Sequence, residues 1–521
     1  MGRLVQSWLA AALASVACGA AAQELAQRVD PFVERPRVLV LTDVANEPDD
    51  QMSLVRLLVY ANELEIAGLV ATTSTWMKDR VRPDVIHTLI DAYEKVQPSL
   101  SRHAEGYPAA EALRALVTTG QPGYGMAAVG EGKLSTGAAR ILEAAAEPDE
   151  RPLWVSVWGG ANTLAQALLH ARETRSPGEV EALVSRLRVY TISDQDDAGP
   201  WIRREFPALH YVGAPSTPDG EEYRYATWTG ISGDRFYGNG AGADFETFTD
   251  AWVDEHIRRE GPLGEHYPYP CCIHEGDTPS FLGLLNNGLA SYMSPSWGGW
   301  GGRYVWRQPY GEVRPSWTQG GDSYPSQANS RDTVVGSDGR TYTSDQATIW
   351  RWRRAFQHDF AARMDWTTKP PEAANHNPQL VLEGQPGRAP IYLAARVGEP
   401  LALDATGSAD PDDDALSYTW LFYPEAGTGI PERPVFTDRR AVFAPRPPGE
   451  ASGPPDLVPR VEIEDAHAPV ARVVPRVPGR AHVILVAEDD GTPSLTSYRR
   501  AILEIEPAAP EAPGAEDRPQ P

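Results

Sequence analysis

Cysteine is scarce in this sequence, and its placement excludes two classes of protein. Only Cys18, Cys271 and Cys272 occur among 521 residues, and the last two are adjacent. Adjacent thiols cannot link distant parts of a fold, and two cysteines cannot supply the four ligands of a structural zinc site. The pair is therefore expected as two buried thiols or as a vicinal disulfide, and neither a disulfide scaffold nor a zinc protein is predicted.

Basic residues are outnumbered, and long apolar runs are missing beyond the amino terminus. The net charge is -24, and no stripe of lysine and arginine is present that would neutralise phosphates. We therefore expect no nucleic acid polymer as a partner. No segment after residue 22 approaches the ~20 apolar residues that a membrane-spanning helix needs, so no transmembrane segment is expected.

Residues 1–22 have the layout of a secretory signal peptide. Arg3 precedes an apolar run from Trp8 to Cys18, and small residues follow before Gln23. This pattern predicts a periplasmic or secreted protein. Residues 15–18 faintly resemble a lipoprotein cleavage box, but Ser15 stands where leucine or valine is expected, so lipid anchoring ranks below the soluble exported form.

The rest of the chain is too long for one hydrophobic core and changes character near residue 370. Before it, buried strands alternate with amphipathic helices, which predicts an α/β domain over residues 30–370, with a mostly parallel sheet and helices on both faces. A proline-rich linker is predicted at 371–378. Short alternating strands then predict an all-β, Ig-like sandwich over 379–506, and the polar 507–521 is expected to be a disordered tail.

An acidic motif follows the first predicted strand of the α/β domain. Asp43, Glu47, Asp49 and Asp50 come directly after the apolar residues 38–41, at the carboxyl end where open α/β sheets bind ligands. Crowded carboxylates repel one another, so a cation or a strongly donating polyol is expected among them. Helix capping is the alternative, and it accounts for one or two of the four acids.

Two further groups are candidates for the same edge of the sheet. Asp194, Asp196 and Asp197 follow the strand that ends at Ile192, although a solvated acidic loop explains them equally well. Tryptophans flanked by glycine pairs lie at 297 and 300, where their ring faces could form a carbohydrate cleft. The alternative is that these tryptophans belong to the core.

The acidic motif resembles that of a known enzyme family. Residues 42–50 look like the motif Asp-x-Asp-x-x-x-Asp-Asp of nucleoside hydrolases, which binds calcium and supplies the base that activates water. Residues 158–165 are similar to that family's asparagine-containing loop, and residues 274–280 resemble the segment that completes its metal site. The resemblance implies a calcium site, with one departure. The second aspartate of the motif, which acts as ligand and base, falls on Ala45.

A closer resemblance covers most of the chain. Residues 46–50, 192–201, 275–281, 297–304 and 349–353 are similar to hallmarks of a branch of bacterial secreted proteins described as nucleoside-hydrolase-like or cellulose-binding. Residues 404–420 resemble the signature of polycystic-kidney-disease-type β-sandwich modules, whose acids at 410–414 are read as a plain turn in preference to a cation site. These resemblances imply the architecture more firmly than the reaction.

The leading hypothesis is a secreted hydrolase that cleaves the N- or O-glycosidic bond of a carbohydrate, with calcium as the candidate cofactor. Its alternatives are a non-catalytic carbohydrate-binding protein that lost its base at Ala45 and a periplasmic nucleoside hydrolase. The catalytic acids are expected to be Glu47, Asp49 and Asp43, and the metal ligands Asp43, Asp50 and Asp277. The predicted substrate-binding residues are Asn46, Asn162, Asp194, Asp197, Trp201, Glu275, Trp297, Trp300 and Arg303.

Overall fold

A computed structural model describes residues 26–216, 223, 226–232, 239–309, 311–318, 330–427 and 460–509. The predicted signal peptide, and the predicted tail from residue 510 onward, lie outside the described residues. The described chain forms two compact units, and the change between them near residue 376 falls inside the predicted linker. The first unit comprises the described residues up to Asn286, then Ala290–His376 and Thr492–Leu495; the second comprises Asn287–Leu289, Asn377–Gly491 and the described residues from Thr496.

The first unit is built on an eight-stranded sheet, which has the order β3-β2-β1-β4-β5-β6-β8-β7. All neighbouring strands in it are parallel except β7 and β8. Strands β9 and β10 form a separate antiparallel pair. The strands of this unit are β1 Arg37–Thr42, β2 Glu65–Ala71, β3 Val117–Thr119, β4 Leu153–Val157, β5 Leu187–Thr191, β6 His210–Gly213, β7 Val305–Arg307, β8 Ser316–Thr318, β9 Asp332–Val335 and β10 Thr341–Ser344.

Helices connect the parallel strands and cover the sheet. The α-helices among the described residues are α1 Asp49–Val59, α2 Pro83–His103, α3 Ala110–Ala115, α4 Thr136–Ala146, α5 Asn162–Thr174, α6 Pro177–Arg186, α7 Ala198–Glu205, α8 Asp250–Val253, α9 Gly261–Gly264, α10 Pro279–Leu282, α11 Ala347–Trp350 and α12 Arg353–Asp365. Shorter helical turns span Met126–Ala128, Thr227–Ile231, Glu246–Phe248, Asp254–Arg258, Ser291–Met293, Pro371–Ala373 and Pro424–Ala426. None of the described helices combines the length and the apolar character that spanning a bilayer requires.

Strand β1 lies at the centre of the sheet and is buried on both faces, as its continuous apolar sequence predicts. Leu39 and Leu41 pack into a core cluster with apolar side chains of α4 and α5. On the other face of the sheet, Ser156 Oγ of β4 lies 2.5 Å from Ser280 Oγ of α10. This hydrogen bond joins the carboxyl-terminal half of β4 to α10.

The second unit consists of two facing sheets, of order β13-β19-β18-β15 and β14-β17-β16, plus the short β11-β12 hairpin. Leu403 and Val473 of one sheet and Leu485 and Leu503 of the other belong to one core cluster, as expected for a β-sandwich. Its strands are β11 Val381–Leu382, β12 Gln385–Pro386, β13 Ile391–Arg396, β14 Leu401–Asp404, β15 Ser417–Phe422, β16 Val461–Glu464, β17 Val470–Pro475, β18 Gly479–Glu488 and β19 Thr496–Glu506.

The observed architecture confirms the predicted fold class, a mostly parallel α/β sheet followed by a β-sandwich. The last helical stretch of the first unit is interrupted, since α11 ends at Trp350 and α12 begins at Arg353. Strands β16 and β17 pair with each other in the second sheet of the sandwich.

Candidate acidic site

The carboxyl edge of the sheet gathers acids from two distant parts of the chain. Asp43 directly follows β1, Asp49 and Asp50 open α1, and Asp277 comes from the segment that leads into α10. One carboxylate oxygen from each of Asp49, Asp50 and Asp277 can be chosen so that the three atoms lie within 4.8 Å of one another. This spacing suits the binding of a single cation by all three side chains.

The acids are close enough to change one another's ionisation. Burial first, and then the charges of Asp50, Asp49, Asp43 and Glu47, raise the pKa of Asp277 well above its ordinary value. Burial, Glu47 and Asp43 raise the pKa of Asp49 to about 8. Five carboxylates therefore share one region, and they cannot all be ionised there unless a positive charge lies among them.

The hydrogen bonds of this cluster leave one oxygen unsatisfied. Thr42 Oγ1 donates to Asp50 Oδ1. Burial raises the pKa of Asp43, and the side chain of Ser74 opposes that rise in part. Asp277 Oδ2 is buried and has no hydrogen-bond partner among the described residues. A buried polar atom in this state is costly unless something else compensates it. Carboxylate oxygens are the ligands that Ca²⁺ prefers, so these residues fit a calcium ion.

Glycine makes room for two of the carboxylates. A Cβ atom at Gly159 would lie 2.6 Å from Asp43 Oδ1, and one at Gly276 would lie 2.7 Å from Asp49 Oδ2. Real side chains do not approach so closely, so each glycine allows the backbone to pass directly beside an acid. The glycines at 159 and 276 thus belong to the construction of the acidic site.

Glu47 lies at the rim of the cluster and is half-buried. Asn46 Nδ2 donates a hydrogen bond to Glu47 Oε2. Burial and the nearby charge of Asp43 raise the pKa of Glu47. A half-buried carboxylate of raised pKa that is oriented by an amide has the properties required of a general base.

Ala45 occupies an unusual backbone conformation in the same loop. Its φ angle is +82°, in the left-handed region that L-residues other than asparagine and aspartate seldom enter. The methyl group supplies neither a ligand nor a base, as the sequence indicated. The loop therefore has a strained position at residue 45, where the motif of nucleoside hydrolases has an aspartate.

Ala45→Gly is expected to stabilise the protein by about 0.5–1 kcal/mol, because relief of the left-handed strain exceeds the added entropy of the unfolded chain. The free energy of unfolding in urea measures the change. Ala139→Gly within α4 is the matched control, and it should instead destabilise by about 1 kcal/mol. Destabilisation by both substitutions would contradict the strain at Ala45.

Two acids predicted to bind substrate are engaged in buried ion pairs. Arg203 donates to both oxygens of Asp194 at 2.8 and 2.7 Å. Arg56 Nε lies 2.8 Å from Glu275 Oε2, and Tyr267 donates to the other oxygen of Glu275 at 2.6 Å. Asp194 and Glu275 are both buried, and their partners satisfy their charge. Because these carboxylates are already paired within the domain, the structure does not present them to a substrate as predicted.

The predicted residues Asn162 and Asp197 connect loops at the same edge. The Asn162 amide donates to the carbonyl of Gly123 at 2.8 Å, and the backbone N–H of Met126 donates to Asp197 Oδ1 at 2.7 Å. Between them, Asp196 accepts from the backbone N–H of Asn162 at 3.0 Å, and burial raises its pKa to about 7. These residues position the loops after β3, β4 and β5, and Asp197 remains exposed.

The predicted aromatic cleft is not open in this structure. Trp297 and Trp300 are only 3% and 2% exposed, which leaves no ring face for a sugar. The guanidinium of Arg303 is buried in an ion pair with Asp332 at 2.7 Å. Trp201 is half-buried and packs against the core cluster of the sheet. Burial and internal pairing correct the predicted roles of Trp297, Trp300 and Arg303, whereas substrate binding by the half-buried Trp201 stays a prediction.

Ser74 was missing from the sequence-based candidates. It lies in the polar run 72–75 that directly follows the buried strand β2, as Asp43 follows β1. The same rule that identified the acidic motif applies to this run, because parallel strands end at one edge. The run contains no carboxylate, so Ser74 was not identified from the sequence.

Known proteins resemble the chain over both units. Residues 37–304 match the family described as cellulose-binding Sde182, nucleoside hydrolase-like domain, and residues 400–505 match the C-terminal domain of cellulose-binding protein Sde0182. A nucleoside hydrolase-related hypothetical protein from Saccharophagus degradans, associated with carbohydrate metabolism, is 33% identical, with a TM-score of 0.71. That match covers 91% of this chain and 100% of the other.

More distant structures resemble parts of the chain. The PKD domain of human KIAA0319 is 14% identical over 24% of this chain and 84% of its own, with a TM-score of 0.14. The type III effector XopQ, complexed with adenosine diphosphate ribose, is 12% identical over 67% of this chain and 99% of its own, with a TM-score of 0.29. Neither score supports an argument. No curated protein matches the chain significantly.

Proposed function

We propose that this chain, which belongs to the cellulose-binding Sde182 family with a nucleoside hydrolase-like domain, is an exported, calcium-dependent hydrolase of glycosidic bonds in a saccharide. The observation that carries the proposal is the orphaned oxygen of Asp277 beside the carboxylates of Asp49 and Asp50. The family description supports a saccharide as the ligand. The exported location is inferred from residues 1–22 alone, and fractionation of the native host tests it.

Asp49, Asp50 and Asp277 are the proposed ligands of the cation, and Asp43 is close enough to raise the pKa values of Asp49 and Asp277. Ca²⁺ takes six to eight oxygens, so ligand oxygens beyond these are required. When bound, the ion would supply electrostatic attachment for sugar hydroxyl oxygens. Without a cation, protonation of these acids would relieve their repulsion.

Glu47 is proposed as the base that removes a proton from the attacking water. It is half-buried at the rim and is held by Asn46, whereas Asp50 and Asp277 are buried among the proposed ligands. Cleavage of a glycosidic bond places positive charge on the sugar ring, and the ionised acids around it would stabilise that charge. The water oxygen would bond to the anomeric carbon as the bond to the leaving group breaks. Glu47 would take a proton from that water, and the departing oxygen or nitrogen would take up a proton from solvent, so no covalent nucleophile is required.

The test is incubation of the protein with neutral oligosaccharides, including cello-oligosaccharides, and with nucleosides, in the presence of either calcium or a chelator. Release of reducing sugar from an oligosaccharide with calcium, and its loss with chelator, is the expected result. Release of free base from nucleosides alone would support the periplasmic nucleoside hydrolase. Hydrolysis that is unchanged by chelator would contradict the role of the cation.

A second candidate, a non-catalytic saccharide-binding protein, is favoured by one observation. Ala45 stands where the base of nucleoside hydrolases is expected, and its methyl group has no acid-base chemistry. Under this alternative, calorimetry would detect calcium-dependent binding of an oligosaccharide without any turnover. The same incubation therefore separates the two functions.

A further inference from the structure

An exposed tryptophan lies in the loop that follows β2. Trp76 is 45% exposed, unlike Trp297 and Trp300. Its loop is a tight turn that is organised by Ser74, whose Oγ accepts hydrogen bonds from the backbone N–H groups of Trp76 at 3.0 Å and Met77 at 3.1 Å. The indole is therefore presented to solvent from a fixed backbone.

The turn is attached directly to the acidic site. Ser74 accepts from the N–H of Trp76 at 3.0 Å. Burial raises the pKa of Asp43, and the side chain of Ser74 is close enough to oppose that rise in part. The preceding residue, Thr73, accepts from the N–H of Gly160 at 2.9 Å through its carbonyl oxygen. Gly160 neighbours the glycine that lies against Asp43. The turn that carries Trp76 is therefore hydrogen-bonded to the glycine segment that lies against Asp43.

A second aromatic residue extends the same surface. Tyr124 is half-buried. Burial raises the pKa of its hydroxyl, and the side chain of Thr75, the neighbour of Trp76, is close enough to oppose that rise in part. Lys78 Nζ lies 4.8 Å from the centre of the Tyr124 ring. We name Trp76, Lys78 and Tyr124 the aromatic rim. It combines accessible ring surface with a hydrogen-bond donor, which is the combination found in ligand pockets.

We propose that the aromatic rim is the stacking surface for a sugar ring of an extended oligosaccharide whose neighbouring ring occupies the acidic site. This inference rests on the proposed function and names its substrate class. The need for more than one ring follows from the position of Trp76, which is exposed outside the acid cluster on a turn hydrogen-bonded to the segment beside Asp43.

The test compares Trp76→Ala and Trp76→Phe with the wild-type protein by calorimetric titration of cellohexaose in the presence of calcium. Trp76→Ala should weaken binding roughly tenfold, because it removes the ring face. Trp76→Phe retains a ring and should bind within about threefold of wild type. Tyr392→Ala, which removes a 55% exposed aromatic from the second unit, is the matched control and should bind as wild type does.

The affinity for calcium alone and the thermal midpoint are measured on the same variants. Both should be unchanged in Trp76→Ala, because the side chain is exposed and supplies no cation ligand. If the wild type binds the oligosaccharide and Trp76→Ala binds it equally well, the role of the aromatic rim is overturned and the proposed function is left intact. Failure of the calcium-loaded wild type to bind any oligosaccharide would overturn both.

Discussion

Glu47→Gln is expected to lower the rate of saccharide hydrolysis by roughly 10²–10⁴-fold, the contribution typical of a positioned general base. The amide keeps the shape of the side chain and its contact with Asn46 but cannot take a proton from water. The turnover number should fall, while the Michaelis constant and the calcium affinity change little. Initial rates with the best oligosaccharide substrate measure the effect.

Glu173→Gln, at an exposed position on α5, is the control and should leave the rate unchanged. A rate that survives Glu47→Gln would exclude Glu47 as the base. Adding Ala45→Asp to Glu47→Gln provides a further arm. The left-handed conformation at residue 45 is one that aspartate tolerates better than alanine does, so recovery of activity would place the reacting water near this loop.

The sequence was sufficient to predict the centre of the sheet and the acids that follow it. Residues 38–41 are apolar without alternation, which predicts a strand buried on both faces, and the polar residues after it then have to lie at the carboxyl edge. Asp277 is different, because no local pattern connects it with Asp43. Its candidacy depended on the resemblance of residues 274–280 to a family motif.

The errors concerned side chains whose partners lie far away in the chain. Glu275 and Asp277 are two positions apart, yet Glu275 pairs with Arg56 while Asp277 joins the acid cluster. Local sequence contains no information about which of the two meets an arginine. Trp300 was misjudged for a similar reason. Glycines beside a tryptophan allow close approach of any partner, and here that partner includes Phe356, whose ring centre is 6.3 Å away.

Trp76 was overlooked for the opposite reason, since a single tryptophan in a polar loop is not distinctive in sequence. Its significance comes from the three-dimensional contact between Ser74 and Asp43. Aromatic residues are usually buried, so the exposed one next to an acid cluster is the informative exception. Together with the corrected roles of Trp297 and Trp300, this moves the expected saccharide surface to the loop after β2.

Calcium is expected to stabilise the protein strongly at neutral and mildly alkaline pH and weakly at acidic pH. The pKa of Asp49 is raised from its ordinary 3.8 to about 8, and those of Asp43, Asp50 and Asp277 are raised as well. A carboxyl whose pKa is higher in the folded state stabilises the fold below its unfolded pKa, and this contribution is lost as the pH rises through the folded value. The chelated protein should therefore become less stable between about pH 4 and pH 8.

Calcium should reverse this loss, because it replaces protons as the positive charge among the acids. At a concentration about a thousandfold above its dissociation constant, a ligand of the folded state alone stabilises by about 4 kcal/mol. The free energy of unfolding in urea is measured with calcium and with chelator at several pH values. Subtracting the two values at each pH removes the contributions of groups that titrate elsewhere in the chain. Asp277→Asn is the diagnostic variant, since it removes one proposed ligand charge and should sharply reduce the calcium effect. An equal effect of calcium at acidic and alkaline pH, or one that persists fully in Asp277→Asn, would place the ion outside this cluster.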